Sequence, residues 1–373
     1  MNKKYYKNSP NNIINIDLTT SILQKYSAIE FHASLPEYKP TPLIELPHLA
    51  KKYNVGNIYV KDESLRLGLN AFKVLGASYA IYQLLEKKPT IETFCTATDG
   101  NHGKAVAWSA KKFGKKSIVF VPKDTTVKRI EAIENEGAKV VQVNGNYDEA
   151  CKKAENSAKA NHWTLVQDTA WEGYTEIPAL IMTGYLTMFK EIENSLLKNL
   201  EKNIDIVFLQ AGVGSMAASG VYYYLNKYGR KRPQIVIVEP EEADGILFSF
   251  KNNKLSTSKG NGTTIMAGLN CGTPSVGAWG LLKNGTDYTL KINDNYAKQA
   301  IRELYYPLGS DKKIISGESG AAGFAGFLAI INESELKTIK KTLKIGQNNN
   351  ILFINTEGDT DKHVFKEIVN TLP

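Results

Sequence analysis

The chain has 373 residues, which is long enough for two domains or for one large domain with an insertion. Hydrophobic residues make up 42% and charged residues 23% of it, a balance that is typical of a globular enzyme and excludes wholesale disorder. The net charge of +8 comes from lysines dispersed along the chain, without a zinc-finger or RNA-binding signature. We therefore expect no nucleic-acid partner.

The three cysteines, Cys95, Cys151 and Cys271, are far apart and form no CxxC pair. This spacing argues against a disulfide framework or a structural zinc site and favours a reducing compartment. The basic start at residues 3–4 lacks the apolar core of a secretory signal, and no stretch approaches the roughly 18 apolar residues of a membrane span. The sequence predicts a cytoplasmic protein with no membrane partner and no metal site.

Residues 1–40 read as an irregular arm with one short helix, because the closely spaced prolines that follow residue 35 hold the chain extended. A strand at 57–63 leads into a loop and then a helix that ends near Leu85. Beyond it, short β-branched runs alternate with amphipathic helices. Strands are predicted at 93–97, 117–121, 139–143 and 164–167, and helices at 105–113, 127–136, 147–160 and 177–190. Such alternation is typical of parallel strands covered by helices on both faces.

Three later strands, at 204–209, 234–238 and 350–354, resume the pattern. Because the strands near residues 58, 206, 236 and 353 carry separate polar motifs at their ends, we expect them to share one sheet. The predicted fold class is α/β, with two three-layer αβα domains built on parallel sheets. The larger would comprise residues 1–88 and 196–373, and the smaller, inserted one residues 89–195. Ligands of open α/β sheets bind beyond the carboxyl ends of the strands, so a cofactor cleft between the domains is expected.

Lys73 places a charge at what would otherwise be the apolar start of a helix, between Phe72 and Val74. An ammonium in apolar surroundings either loses its proton or is tied up chemically, and a desolvated lysine is a ready Schiff-base nucleophile. The alternative is a lysine that extends from the flank of a helix into solvent.

The loop at residues 211–215, Ala-Gly-Val-Gly-Ser, follows a strand and opens a helix. Its glycines allow a close approach of the backbone, and the amides and the helix dipole at such a position bind a phosphate.

A dinucleotide site is a rival interpretation of the same loop. Gly212, Gly214 and Ala217 satisfy the G-x-G-x-x-A pattern, and Glu239 ends the next strand, where a ribose-binding acid would lie. The chain would then be an NAD(P)-binding oxidoreductase. That interpretation leaves Lys73 unexplained.

The segment Asp99-Gly100-Asn101-His102-Gly103 joins a strand to a helix, so its polar side chains are presented at the end of the strand. The Asn101 amide can hydrogen-bond a ring substituent of a flat cofactor, and Asp99 can accept a proton. A plain turn with a helix-capping aspartate is the alternative, and His102 has no evident partner for a triad or a metal site. Together with Lys73 and the glycine-rich loop, this segment indicates a lysine-bound phosphorylated cofactor, for which pyridoxal phosphate fits.

These motifs resemble those of the fold-type II pyridoxal phosphate enzymes, which include the serine and threonine dehydratases. Longer segments are similar to the diaminopropionate ammonia-lyases, namely residues 96–103, 167–174, 265–269, 315–320 and 356–361. The resemblance extends from about residue 30 to the end of the chain. It implies a homodimeric carbon–nitrogen lyase with pyridoxal 5'-phosphate as cofactor and 2,3-diaminopropionate (D, L or both) as substrate. A lyase acting on serine or threonine is the alternative within the family.

The resemblance also implies roles for particular residues. Lys73 would bind the cofactor covalently and Asn101 would contact its ring hydroxyl. The phosphate would be held by four consecutive residues, Gly212, Val213, Gly214 and Ser215.

Three further positions follow from the same resemblance. Lys73 would remove the α-proton from the L-isomer and Asp99 from the D-isomer, while Asp168 would be a substrate-binding carboxylate. The partner of the pyridine nitrogen would be Asn355 or Thr356. Either neutral group suits β-elimination better than transamination.

Overall fold

A computed structural model describes residues 3–25, 27–98, 100–198 and 203–371. The chain divides into two compact units. Unit 1 consists of Met1–Ile16, Lys39–Asn70 and Met188–Pro373, and unit 2 of Asp17–Tyr38 and Ala71–Thr187. The domain limits expected from the sequence fall elsewhere, at 88/89 and 195/196, and they stay a prediction.

The described residues form eleven strands and fifteen α-helices. The strands are β1 (Tyr5–Lys7), β2 (Leu43–Glu45), β3 (Asn57–Asp62), β4 (Thr93–Ala97), β5 (Lys116–Pro122), β6 (Lys139–Val143), β7 (Thr164–Leu165), β8 (Ile206–Gln210), β9 (Gln234–Pro240), β10 (Tyr288–Ile292) and β11 (Asn350–Asn355). The helices are α1 (Leu18–Lys25), α2 (Ile29–Ser34), α3 (Pro47–Tyr53), α4 (Lys73–Lys87), α5 (Asn101–Lys112), α6 (Val127–Glu134), α7 (Tyr147–Asn161), α8 (Glu176–Lys198), α9 (Ser215–Tyr228), α10 (Gly245–Asn252), α11 (Val276–Gly285), α12 (Asp294–Tyr305), α13 (Ala322–Asn332), α14 (Lys337–Thr342) and α15 (Lys362–Asn370).

Unit 1 is built on a seven-stranded sheet in the order β1-β10-β9-β8-β11-β3-β2. Its five central strands are parallel, and the short edge strands β1 and β2 are antiparallel to their neighbours. The prediction that the strands near residues 58, 206, 236 and 353 share one sheet is confirmed. All five residues of β8 are buried. Helix α13 is buried over most of its length, as a helix that is apolar all round requires.

Unit 2 is built on a four-stranded parallel sheet in the order β6-β5-β4-β7, which confirms the four strands predicted for this region. Side chains of β5 alternate between its two faces. Phe120 packs in a cluster with Ala150 and Ala154 of α7, whereas Val119 packs with Ala107 of α5 and with α6. The unit therefore has three layers, with helices on both faces of the sheet. Helix α4 packs against α5, which places it in this unit.

The prediction of an irregular arm with one short helix at residues 1–40 is wrong. The described part of this region contains strand β1 and the two helices α1 and α2. Strand β1 forms because Tyr5, Tyr6 and Lys7 pair with the exposed edge of β10, whose residues lie far along the chain. A three-residue strand carries no periodicity of its own that would reveal such a pairing. No helix in the described ranges is long and apolar enough to cross a membrane.

Candidate active site

Lys73 is the first residue of α4 in unit 2, and its neighbours Phe72, Val74 and Leu75 are buried, as expected. The Lys73 ammonium does not extend into solvent. It forms an ion pair and a hydrogen bond with Asp168 Oδ2, and its side chain is only 20% exposed. The family resemblance implied that Asp168 binds substrate, but it did not imply this ion pair with Lys73.

The Asp168 carboxylate is ionised in spite of its burial. Burial alone would raise the pKa of Asp168, but the Lys73 charge, the nearby His102 and the hydrogen bonds to the carboxylate together hold that pKa well below its usual range. While the Lys73 amine is free, the site therefore holds an ionised, buried carboxylate with a cation at one oxygen.

Gln167 holds the segment that carries Asp168 against the end of β4. Its Oε1 accepts hydrogen bonds from Thr96 Oγ1 at 2.8 Å and from the Ala97 amide at 3.0 Å, and its Nε2 donates to the Ala97 carbonyl at 2.9 Å. The Tyr174 hydroxyl accepts from the Gln167 amide at 2.9 Å. Because Gln167 is buried and fully engaged, the position of the adjacent carboxylate is fixed.

Asn101 is the first residue of α5 and is half-buried. The tight packing of this helix requires the glycine two residues later. A Cβ on Gly103 would lie 2.4 Å from Thr98 Cγ2 and 2.9 Å from Val119 Cγ1. The predicted proton acceptor Asp99 lies outside the described residues.

His102 contacts the same carboxylate as Lys73. The ring is buried, with Nε2 2.8 Å from the Val166 carbonyl oxygen and Nδ1 3.9 Å from Asp168 Oδ2. Burial lowers the pKa of His102, the Asp168 carboxylate opposes that shift, and the Lys73 charge adds to it. The sequence showed no partner for His102 because Val166 and Asp168 approach it only through the packing of the sheet.

The glycine-rich loop of unit 1 lies between β8 and α9. Gly214 has φ of 90°, in the left-handed region that favours glycine. Ser275 donates its amide to the Val213 carbonyl at 2.8 Å, which fixes the loop. Within the described ranges, the amides of Gly212, Val213 and Gly214 donate no hydrogen bond. Three unpaired amides at the start of a helix of 14 residues form an anion-binding arrangement.

Three of the motif segments noted in the sequence, at residues 265–269, 315–320 and 356–361, meet beside this loop. A Cβ on Gly212 would lie 3.2 Å from the Gly268 carbonyl oxygen, so the chain passes close here. The Gly268 amide donates to Ser319 Oγ at 2.9 Å, and the Ser319 amide donates to Glu357 Oε1 at 3.1 Å. These bonds join three distant segments of unit 1 around the loop.

Two neighbouring residues at the end of β11, Asn355 and Thr356, differ in whether they have a hydrogen that is not yet donated to a hydrogen bond. The Asn355 amide donates to Asp62 Oδ1 at 2.8 Å and to the Ile315 carbonyl at 3.0 Å, so both of its hydrogens are used. The Thr356 hydroxyl oxygen accepts from Gln210 Nε2 at 3.1 Å, which leaves its own hydrogen available.

Glu239, the acid of the rival dinucleotide interpretation, is fully buried. Its two carboxylate oxygens accept hydrogen bonds from the amides of Ile246 and Leu247, each at 2.7 Å. Burial raises the pKa of Glu239 to about 8, against the effect of these two bonds. A carboxyl group held in this way caps the start of α10 and has no oxygen to offer a ribose.

Most of the chain matches proteins of known kind. Residues 35–347 match the model of the pyridoxal-phosphate dependent enzyme family. The chain belongs to this family. It is 39% identical over 359 residues to the diaminopropionate ammonia-lyase of Escherichia coli strain K12, covering 92% of this chain and 90% of that protein. The corresponding resemblance found in the sequence is confirmed.

Solved structures of the Escherichia coli enzyme have the same fold. Its crystal structure in complex with an aminoacrylate-PLP azomethine reaction intermediate superposes with a TM-score of 0.91 and 38% identity, over 98% of this chain and 96% of that one. Its complex with D-serine has the same TM-score and coverage with 36% identity. The predicted α/β fold of the fold-type II enzymes is confirmed.

The residues of this chain fit the family's cofactor. Lys73 supplies a primary amine whose surroundings are largely buried, and the unpaired amides of the loop at residues 212–214 supply donors for a phosphate. The described residues contain no group of three or more His, Cys, Asp and Glu that could hold a metal ion.

Proposed function

We propose that the protein catalyses the α,β-elimination of ammonia from 2,3-diaminopropionate, which with one water gives pyruvate and a second ammonia. The observation that carries the proposal is the ion pair between the buried Asp168 carboxylate and the Lys73 amine. The β-amino group of this substrate is a cation when protonated, and a buried carboxylate favours a cation over the hydroxyl of serine. The 39% identity to a diaminopropionate ammonia-lyase supports the same substrate.

The proposed cofactor contacts follow from the chemistry of each group. Lys73 attaches pyridoxal 5'-phosphate covalently, Asn101 hydrogen-bonds its ring hydroxyl, and the residues from Gly212 to Ser215 bind its phosphate. When bound, the cofactor supplies the electron sink that stabilises the negative charge left by removal of the α-proton.

We assign Thr356 rather than Asn355 as the partner of the pyridine nitrogen. An unprotonated pyridine nitrogen accepts a hydrogen bond and therefore needs a donor. The Asn355 amide hydrogens already bind Asp62 and Ile315, whereas the Thr356 hydroxyl has a hydrogen left to donate. A neutral donor stabilises less negative charge on the ring than a carboxylate partner would, which favours elimination over transamination.

Substrate preference tests the role of Asp168. We expect the wild type to release pyruvate from diaminopropionate far faster than from serine. Asp168→Asn should lower the ratio of kcat/KM for diaminopropionate to that for serine by roughly 30- to 150-fold, because loss of a buried charge partner costs about 2–3 kcal/mol. Asp124→Asn, at an exposed position of the same unit, is the matched control and should leave the ratio unchanged. A wild type that prefers serine contradicts the proposed substrate.

The two isomers of the substrate test the proton acceptors. We propose that Lys73 takes the α-proton of L-diaminopropionate and Asp99 that of the D-isomer. Asp99→Asn should then lower kcat for the D-isomer by about 10²–10⁴-fold, the usual contribution of a general base, and lower kcat for the L-isomer much less. Pyruvate release from each enantiomer measures both values. An equal loss on both isomers removes Asp99 from this role.

We further propose that the enzyme works as a homodimer in the cytoplasm. The resemblance to the family supports a dimer, and the three scattered cysteines suit a reducing compartment. Light scattering of the purified holoenzyme measures the mass of the assembly directly.

A further inference from the structure

One ring nitrogen of His102 has no hydrogen bond within the part of the chain that the structure describes. Nε2 lies 2.8 Å from the Val166 carbonyl oxygen, and because a carbonyl only accepts, Nε2 carries the ring hydrogen. Nδ1 is therefore a bare acceptor. It is buried, and Asp168 Oδ2 lies 3.9 Å from it.

When two hydrogen-bond acceptors face each other in a buried site, their repulsion is unfavourable unless a positive charge lies beside them. Here the charge is the Lys73 ammonium, which binds the same Asp168 Oδ2. Burial lowers the pKa of His102, and the Lys73 charge beside the ring lowers it further, so the neutral state of His102 depends in part on Lys73. When that ammonium is withdrawn, the carboxylate and the imidazole are left together, and of the two the imidazole is the stronger base.

We propose that His102 is a positioning residue that takes up one proton on Nδ1 whenever Lys73 no longer pairs with Asp168. The proton comes from the solvent, the Nδ1–H bond forms, and the imidazolium donates to Asp168 Oδ2. This rests on the proposed function, in which the Lys73 amine is committed to the cofactor. His102 then keeps Asp168 ionised until a cationic substrate binds.

Among the described residues, Tyr174, Tyr185 and Cys95 are titratable groups in this region that do not compete for this proton. Burial raises the pKa of the Tyr174 and Tyr185 phenols, so both remain neutral. Burial also raises the pKa of the Cys95 thiol to about 12. Of these groups, only the imidazole has an ordinary pKa near neutrality.

The test is the protonation state of the His102 ring in the full-length protein, by NMR with nitrogen-15-labelled histidine. In cofactor-free wild type we expect Nδ1 to be unprotonated at neutral pH. In Lys73→Met we expect both ring nitrogens to be protonated, because removal of the Lys73 charge raises the pKa of His102. His32 is the internal control, because it is buried with its two ring nitrogens bonded to Thr187 Oγ1 and the Leu75 carbonyl, and its signals should not change.

A double variant, compared with Lys73→Met, tests which group holds the proton. His102→Gln keeps an N–H donor for the Val166 carbonyl but has no nitrogen to protonate at the position of Nδ1. In Lys73→Met/His102→Gln, we expect an infrared band of a protonated carboxyl at neutral pH, assigned by its loss in Asp168→Asn. The band should be absent from Lys73→Met alone.

A His102 ring that stays neutral in Lys73→Met, and also in Lys73→Gln should the first variant fail to fold, overturns the proposal. A protonated-carboxyl band in Lys73→Met with His102 intact overturns it as well, because the proton would then reside on Asp168. None of these measurements uses turnover. A failure of the lyase proposal, seen as no pyruvate from diaminopropionate, is therefore distinguishable from a failure of this one.

Discussion

Lys73→Ala is expected to abolish pyruvate release from both isomers of diaminopropionate, with a loss in kcat on the order of a thousandfold or more. In the proposed mechanism, the variant removes the amine that attaches the cofactor and also a base for the α-proton. Borohydride reduction of the holoenzyme, followed by peptide mapping, should find the reduced pyridoxyl group on the peptide that contains Lys73 in the wild type and no such group in the variant.

Two control variants separate the loss of chemistry from a loss of fold. Lys73→Arg keeps a cation beside Asp168 but forms no Schiff base, so it should fold normally and remain inactive. Lys362→Ala changes the exposed first residue of another helix, α15, and should keep full activity. Wild-type activity in Lys73→Arg would show that the lysine acts only through its charge, and it would remove Lys73 from the covalent role.

Arg66→Met is expected to lower the free energy of unfolding of unit 1 by about 3–5 kcal/mol. Arg66, Lys61 and Glu63 have no exposed surface, and Glu191 is 3% exposed. Arg66 binds Glu63 with Nε and Nη2, and Glu191 with Nη1 and Nη2, at 2.7–2.8 Å. Lys61 Nζ binds Glu191 Oε2 at 2.5 Å. Removing Arg66 would leave two buried carboxylates with a single cation.

Urea unfolding followed by fluorescence measures this loss, and Arg230→Met is the matched control. Arg230 is exposed, so its substitution should change the free energy of unfolding by no more than about 0.5 kcal/mol. An unchanged urea midpoint in Arg66→Met would contradict the prediction, because it would show that Glu63 and Glu191 do not need the Arg66 charge.

The same network predicts a dependence on pH. Burial acts to raise the pKa of Glu191, but its bonds to Arg66 and Lys61 outweigh that effect and place the pKa of Glu191 below its ordinary value. A carboxyl whose pKa is lower in the folded state stabilises the fold above its unfolded pKa, and this contribution disappears as the pH falls through the folded pKa. Arg66→Met should therefore lose less stability than the wild type on acidification below about pH 4.5.

Several elements of the fold were predictable because their signals are local. The strands β4, β5 and β6 are short β-branched runs between amphipathic helices, and the structure places them where the sequence predicts. Helix α5 begins at Asn101 rather than at residue 105. Strand β10 was not predicted, although the alternating pattern of its five residues is typical of a strand.

The candidate site also has some features that were predictable from the sequence and others that were not. The sequence by itself determined the cofactor, and it predicted the lysine and the glycine-rich loop that would bind it, because each depends on residue type and on short spacing. Only the tertiary structure decided that Asp168 pairs with Lys73, from which it is separated by 95 positions, and that His102 faces the same carboxylate. The tertiary structure likewise decided that the Asn355 side-chain amide donates to Asp62, 293 positions away, and that Glu239 caps a helix. Ion pairs and hydrogen bonds between distant residues leave no periodic mark on a sequence, since they exist only where packing brings the partners within about 3–4 Å.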